Sequence, residues 1–358
     1  MSGVVRFAIL GCGHIGKRHA DLVQKHPEAL LVATIDPLHE TILQVTEFGV
    51  PHFKNLDDFL SANIAVDVIN ICTPNGLHAS QAVNCLNHDL NVVIEKPIAL
   101  TLSDADAILA AADKNGRHVF PVVQNRYSPT VKWLKEIVSE GLLGEIFMVQ
   151  LNCFWNRDDY YYAKGSWHGT LSMDGGPLFT QFSHFIDVLH WIFGDITNVQ
   201  AKFSNFNHQH STEFEDSGIV SFDLIDGGVG AINYSTAVFQ SNFESSITVI
   251  AANGTVKVGG QYMNNIEYCH VKGTEKPILS ETQLMNNYGA YKGSASNHQF
   301  VIDNVIATLK GDKTPDILLA DGVKVVEIIN NIYCKREVQQ PVVNSVEQVQ
   351  LVKKEILL

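Results

Sequence analysis

The sequence predicts an α/β protein of two domains: an N-terminal parallel sheet covered by helices on both faces, then an α+β domain on an open, mostly antiparallel sheet. Three observations carry this. The first third of the chain alternates short apolar runs with helical stretches, the pattern of strands buried on both faces. Beyond residue 123 the apolar residues alternate with polar ones and the runs are joined by turn glycines, as in half-exposed antiparallel strands. A chain of 358 residues is also too long for one ordinary core.

In order, residues 4–10 read as a strand and 15–25 as a helix with Ile15, Leu22 and Val23 on one face. Residues 30–35 form a second strand, 41–48 can be helical, and Asn55 caps a short helix through 60. Strands at 66–71, 91–94 and 118–123 enclose helices at 78–87 and 104–114, the latter capped by Ser103. The domain boundary falls here, giving 1–123 and 124–358. Residues 129–140 then read as a helix ended by Gly141 and Gly144, and 145–154 as an antiparallel strand. The run 178–193 is helical, and 218–224 with 229–236 flank Asp226-Gly227-Gly228 as a hairpin. A second hairpin, 246–251 with 255–258, turns at Asn253-Gly254, and helices at 297–310 and 321–335 close the pattern.

Composition excludes some classes of function. A net charge of -13, with 25 Lys and Arg against 38 acids, argues against nucleic acid, whose binding rests on cations. One small anionic ligand needs only two or three local cations and stays compatible. No apolar run approaches the ~20 residues of a membrane helix, and residues 4–10 contain Arg6, so neither a span nor a signal peptide is expected. The six cysteines hold no C-x-x-C pair and read as reduced thiols of a cytoplasmic protein. The 15 histidines show no H-x-x-x-H or H-E-x-x-H spacing, so no metal is expected.

Gly11-Cys12-Gly13-His14-Ile15-Gly16 stands between the first strand and the first helix. There Gly11 suits a tight turn, Gly13 a close approach of backbone to a pyrophosphate, and Gly16 close helix–strand packing, with the helix N-terminus facing the anion. Asp36 ends the second strand 20 residues after Gly16, where a carboxylate accepts from an adenosine ribose. Together these describe a Rossmann dinucleotide-binding domain. Asp36 would repel a 2'-phosphate and Pro37-Leu38 offers no arginine to hold one, so NAD is favoured over NADP.

Thr73-Pro74-Asn75 and Glu95-Lys96-Pro97 follow the strands at 66–71 and 91–94, at the sheet edge where ligands bind in open α/β folds. Oxidising a secondary alcohol needs a base for the hydroxyl proton and a donor for the developing alkoxide. A buried lysine has a depressed pKa and a histidine titrates near neutrality, so either Lys96 or His184 could be the base. Thr180, His184 and Asp187 lie at i-4, i and i+3 of one helical run, so Asp187 could fix the His184 tautomer. The plainer alternatives are a satisfied core histidine and a turn lysine paired with Glu95.

These residues carry a family resemblance. The glycine loop, Asp36, Thr73-Pro74-Asn75-Gly76-Leu77-His78, Glu95-Lys96-Pro97, and Gly175-Gly176 followed by His184-Phe185-Ile186-Asp187 resemble the Gfo/Idh/MocA family of NAD(P)-dependent oxidoreductases over nearly the whole chain. The resemblance implies hydride transfer between nicotinamide C4 and a carbon of a sugar or cyclitol. It implies a C-terminal domain whose open sheet often makes oligomer contacts, hence a homo-oligomer, dimer or tetramer. It makes Lys96 the catalytic lysine and places Thr73, Asn75, His78 and Glu95 around the nicotinamide and its ribose. Where the inositol-dehydrogenase-like branch has an Asp four residues before the histidine, this chain has Thr180. Its run Trp155-Asn156-Arg157, Tyr160-Tyr161-Tyr162, Trp167-His168-Gly169-Thr170, Asp174-Gly175-Gly176 and Thr180-Gln181 is similar instead to the branch that oxidises C3 of UDP-N-acetylglucosaminuronate, although an arginine is expected there where His168 stands. Trp155 and Trp167 with the three tyrosines offer faces for a uracil or sugar ring, Arg126, Arg157, Lys164 and His168 offer cations, and Thr180 and Asp187 are expected beside them at the substrate. A packed aromatic cluster or an oligomer contact would show the same crowding.

Overall fold

The computed structural model describes residues 3–163, 166–280, 285–287 and 292–336. Its first sheet is built from β1 (Val5–Leu10), β2 (Ala29–Ile35), β3 (His52–Phe53), β4 (Val68–Ile71), β5 (Asn91–Ile94) and β6 (Val119–Pro121) in the order β3-β2-β1-β4-β5-β6. All its pairings are parallel. The strand order reverses direction beside β1, and the crevice above that point is where such sheets take their ligands. Between the strands run α1 (His14–Lys25), α2 (Glu40–Leu43), α3 (Leu56–Ser61), α4 (His78–Asn87) and α5 (Leu102–Asn115).

The expected elements are present, with two local corrections in this half. The helix expected at 41–48 breaks at Gln44, whose left-handed backbone (φ 58) separates α2 from a single 3-10 turn and lets Val45 and Phe48 enter the core. The cap of α5 is Thr101, not Ser103: the Thr101 hydroxyl accepts from Asp104 N–H at 3.1 Å, and the helix starts one residue later at Leu102. Asn55 caps α3 as expected, accepting from Asp58 N–H at 2.8 Å.

The second half opens with α6 (Pro129–Ser139) and continues through β7 (Ile146–Phe154), α7 (Pro177–Thr180), α8 (Ser183–Phe193), β8 (Ile196–Ser204), β9 (Ser217–Leu224), β10 (Val229–Ser235), β11 (Glu244–Ala251), β12 (Gly254–Gly259) and β13 (Asn265–Val271). Their sheet has the order β13-β12-β11-β7-β10-β9-β8. It is antiparallel except where β7 runs parallel to β10, so β7 pairs antiparallel on its β11 side only. Both expected hairpins form, β9–β10 and β11–β12. A small two-stranded sheet, β14 (Met285–Asn287) with β15 (Lys292–Ala295), precedes α9 (His298–Lys310) and α10 (Leu319–Tyr333).

The chain then crosses back. Val301, Ile302, Val305 and Ile306 of α9 are buried in one cluster with Val5, Phe7 and Ile9 of β1 and Ala20 and Val23 of α1. Helix α10 packs on α5 and on α8. The first sheet is thus covered on one side by a helix from the far end of the chain, which brings α9 residues to the floor of the crevice. No helix among the described residues is long and apolar enough to cross a membrane.

Candidate active site

The crevice is a cleft of about 760 Å³ running from the glycine loop to α7. Gly11 makes the turn with φ +89, and a Cβ on Gly16 would stand 1.8 Å from the Gly11 carbonyl oxygen, so α1 can sit this close to the loop only with glycine at 16. A Cβ at Gly13 would meet nothing within 4 Å, leaving that backbone open to a pyrophosphate. Gly11, Gly13, His14 and Ile15 line the cleft, whereas Gly16 packs behind it. Asp36 is held by two backbone donors, Cys12 N–H at 2.8 Å and Leu38 N–H at 2.9 Å, and each oxygen keeps further acceptor capacity toward the cleft it lines. Pro37 and Leu38 line the wall beside it. The donor set fits NAD.

The loops after β4 and β5 are braced together. The His78 ring nitrogens lie 2.7 Å from the Pro97 carbonyl oxygen and 2.8 Å from that of Thr73, so His78, which lines the cleft, joins the ends of the two loops. Thr73 donates to Gln81 Oε1 at 2.6 Å. Asn75 Nδ2 donates to Thr180 Oγ1 at 2.8 Å and to the Asp174 carbonyl at 2.9 Å, tying the first half to the second. Glu95 is buried beneath them. Its Oε1 is 3.1 Å from His19 Nε2 and 3.6 Å from His298 Nε2. With Asn70 Nδ2 donating to His19 Nδ1 at 2.9 Å, the Nε2 proton of His19 points at Glu95. The three groups lie within 4.8 Å of one another, close enough to hold a metal ion, but this tautomer makes them a hydrogen-bonded cluster. Burial pushes the Glu95 carboxyl up, and the two histidines more than reverse it, holding it well below the usual carboxylate range.

Lys96 is the next residue. Its Nζ donates to the Thr180 carbonyl at 2.6 Å, and burial, only partly opposed by Glu95, pushes its pKa down to about 8. His184 lines the same floor, buried, with no hydrogen-bond partner for Nδ1 among the described residues. Burial and then the neighbouring Lys96 push it well below the usual histidine range, so it is neutral.

The expected helix at 178–193 is interrupted. Gly175, Gly176 and Pro177 lead into the single turn α7, and Phe182 (ψ -1) separates it from α8, so Thr180 leaves the face that carries His184 and Asp187. Asp187 does not orient His184. It accepts a two-pronged bond from Arg126, at 2.8 and 2.6 Å, inside the protein, and Arg126 further pairs with Asp321 at 3.4 Å and lies over Trp191. A guanidinium satisfies both carboxylate oxygens at once, which an imidazole cannot. Neither Arg126 nor Asp187 lines the cleft, so their expected place at a substrate is corrected to an internal ion pair.

The other substrate candidates do line it: Trp155, Arg157, Trp167, His168 and Thr180. Trp155 is mostly core, edge-on to Phe182, Phe185 and Tyr262, with its indole N–H donated to Ser245 at 2.8 Å. Arg157 lies between the Trp155 and Tyr161 rings, 4.9 and 5.1 Å from their centroids. His168 stacks on Tyr161, with ring centroids 4.2 Å apart, and lies tilted against Trp167 at 3.8 Å. Tyr160 is exposed, and Lys164 lies outside the described residues. Gln181 of the expected run lines the cleft and Asp174 lies behind Thr180, and residues the pattern did not single out also reach the site: Gln124 and His298 line it, and His19 lies beneath it on Glu95. His298 sits 203 positions from Glu95 (298 minus 95), a separation no local spacing reveals.

The sequence matches two family models: an oxidoreductase family with an NAD-binding Rossmann fold over residues 5–122, and the Gfo/Idh/MocA C-terminal domain over residues 131–257. The chain belongs to the Gfo/Idh/MocA oxidoreductase family. Among solved structures it is similar to the WlbA dehydrogenase of Bordetella pertussis in complex with NADH and UDP-GlcNAcA, 32% identical with a TM-score of 0.83, over 93% of this chain and 96% of that one. The WlbA dehydrogenase of Chromobacterium violaceum, with the same two ligands, is 31% identical with a TM-score of 0.83 over 94% of both chains. A 2,7-anhydro-N-acetylneuraminate hydratase of Escherichia coli is 23% identical over 92% of this chain and 87% of its own. This Gfo/Idh/MocA protein is thus an NAD-dependent oxidoreductase with the two-sheet architecture its sequence predicted.

Proposed function

We propose that the protein oxidises a ring hydroxyl of a nucleotide sugar, a UDP-sugar acid or UDP-aminosugar acid being the leading class. The observation that carries this is the wall facing Lys96. Arg157 lies over the rings of both Trp155 and Tyr161, and His168 stacks on Tyr161 beside Trp167, so cations and aromatic faces meet in one cleft with the NAD site. The two WlbA structures, each holding UDP-GlcNAcA, support the same class.

In this reading Lys96, with its pKa near 8, is the base, because roughly a tenth of it is uncharged at pH 7, far more than of an ordinary lysine. Its lone pair takes the hydroxyl proton while one of its N–H groups stays on the Thr180 carbonyl. Neutral His184 donates its N–H to the oxygen that becomes the ketone. Bound in the cleft, NAD⁺ would supply at nicotinamide C4 the acceptor for the hydride, with its two electrons, from the C–H bond of the carbon that bears this oxygen. The products are a ketone, NADH and a protonated Lys96.

The test is turnover of UDP-GlcNAcA against a panel of free sugars and inositol, followed by NADH absorbance and by product mass. Free sugars alone turning over would sink the nucleotide-sugar assignment. A cytoplasmic location belongs to this reading, supported by cysteines that are all free among the described residues. So does a homo-oligomer. On the sheet face turned away from the helices, Met148 is paired across strands with Val229 and Ile250, and all three are exposed; sedimentation should give a dimer or tetramer.

A further inference from the structure

We infer that Asp174, a buried carboxylate that takes no part in the proton and hydride transfers, is a positioning residue holding the cleft wall on which Lys96 and His168 both rest. Its two oxygens face two different donors. One accepts the Thr180 hydroxyl; the other accepts Gly169 N–H at 2.8 Å and lies 3.8 Å from His168 Nδ1. The Thr180 hydroxyl also accepts from Asn75 Nδ2, at 2.8 Å, and lies 3.0 Å from the Asp174 main-chain carbonyl, so both acceptors within its reach belong to residue 174. The carbonyl of the same Thr180 receives Lys96 Nζ.

One side chain therefore joins four parts of the site: the loop carrying Trp167 and His168, the Asn75 loop of the NAD domain, the end of α7, and through it the base. A carboxylate serves both donors at once. Asparagine offers one acceptor: with its N–H₂ toward Gly169 N–H a buried donor faces a donor, and with it toward Thr180 the hydroxyl proton is displaced onto the Asp174 main-chain carbonyl and the wall re-forms differently. Burying a carboxyl group is costly unless its oxygens are bonded, and at 0% exposure those of Asp174 are bonded to this wall.

The inference rests on the base role of Lys96, and the variants separate the two. Asp174→Asn is expected to lower kcat on the order of 10- to 100-fold, the scale of a small misplacement of a catalytic group, while the NAD⁺ dissociation constant stays within about twofold. The pH profile adds a readout that mere structural damage would not move. Lys96 is faced by Glu95, Arg157 and Asp174 and by the His184 and His78 rings. Removing the negative charge at 174 makes its proton easier to lose, so the acid limb of kcat moves to lower pH. Thr180→Val, which removes the hydroxyl but keeps the carboxylate, should reproduce the loss. Thr180→Ser should retain activity, and the double variant Asp174→Asn, Thr180→Val should be no worse than either single. If Asp174→Asn is insoluble, the Val and Ser variants at 180 decide. Losses that multiply, or an Asp174→Asn enzyme with wild-type kcat and an unmoved acid limb, overturn the inference. Turnover surviving in Lys96→Met would bring down the base assignment itself, whereas an inactive Lys96→Met beside a normal Asp174→Asn removes the role of Asp174 alone.

Discussion

The two ends of the cleft are built by different rules. At the nucleotide end the geometry is set by backbone: a left-handed Gly11, a Gly16 pressed on the Gly11 carbonyl, and an Asp36 fixed by two N–H groups within the same loops. At the reacting end it is set by side chains that reach distant parts of the chain: Lys96 and Asn75 donate to the main-chain carbonyls of Thr180 and Asp174, and Glu95 lies between His19 and His298. Backbone demands leave a trace at fixed spacing, and side-chain meetings leave none. The first end should therefore fail all at once when a backbone position is filled, and the second should fail by degrees, in rate more than in binding.

The largest effects test that division directly. Lys96→Met should lower kcat by about 10³-fold or more, within the range of a lost general base, with NAD⁺ binding by calorimetry retained. Gly16→Val should do the reverse. Its Cβ has no room beside the Gly11 carbonyl, so NAD⁺ binding should vanish below solubility limits and thermal stability should fall with it. If Gly16→Val still bound NAD⁺ normally, the rigid backbone cradle would be the wrong description.

A second comparison concerns Arg126 and Asp187, which pattern reading set at the substrate and the structure sets in an internal pair. Arg126→Met leaves a buried carboxylate alone and should cost about 3–5 kcal/mol in urea unfolding, while the KM of the folded enzyme changes less than about twofold. The corresponding loss at Arg157, which lines the cleft, should appear in KM. Asp36→Ala lies between these extremes: losing a charged acceptor for ribose hydroxyls should weaken NAD⁺ about 10- to 100-fold and narrow the preference over NADP⁺, measured by titration of both.

What was legible follows the same line. The parallel sheet, the glycine loop, Asp36, the corner holding Lys96 and both hairpins announce themselves through periodicity, turn residues and spacing. The break in the run 178–193 did not, because Gln181 and Phe182, where the helix is interrupted, include no glycine or proline to signal a stop. The partner of Asp187 was missed as well. On the helix His184 was near in sequence, but Arg126, 61 residues away, offers the better-matched donor pair. Helix α9 returning to the first sheet is a long-range event, and with it comes His298.

The smallest expected effect is the most selective. In Glu95→Gln the shape of the side chain is kept and its charge removed. Glu95 opposes the burial that lowers the Lys96 pKa to about 8, so its negative charge favours the ammonium form. Without that charge the Lys96 pKa falls further. The free base then persists to lower pH, and the acid limb of kcat, followed between about pH 6 and 9.5, moves down. Near neutral pH this shift partly offsets any loss from disturbing His19 and His298, so the variant should look mildest near pH 7 and most impaired on the alkaline plateau, where Lys96 is uncharged in both enzymes. An acid limb that moved to higher pH would mean that the titrating base is not the lysine beside Glu95, and the side-chain half of the comparison would have to be rebuilt around His184.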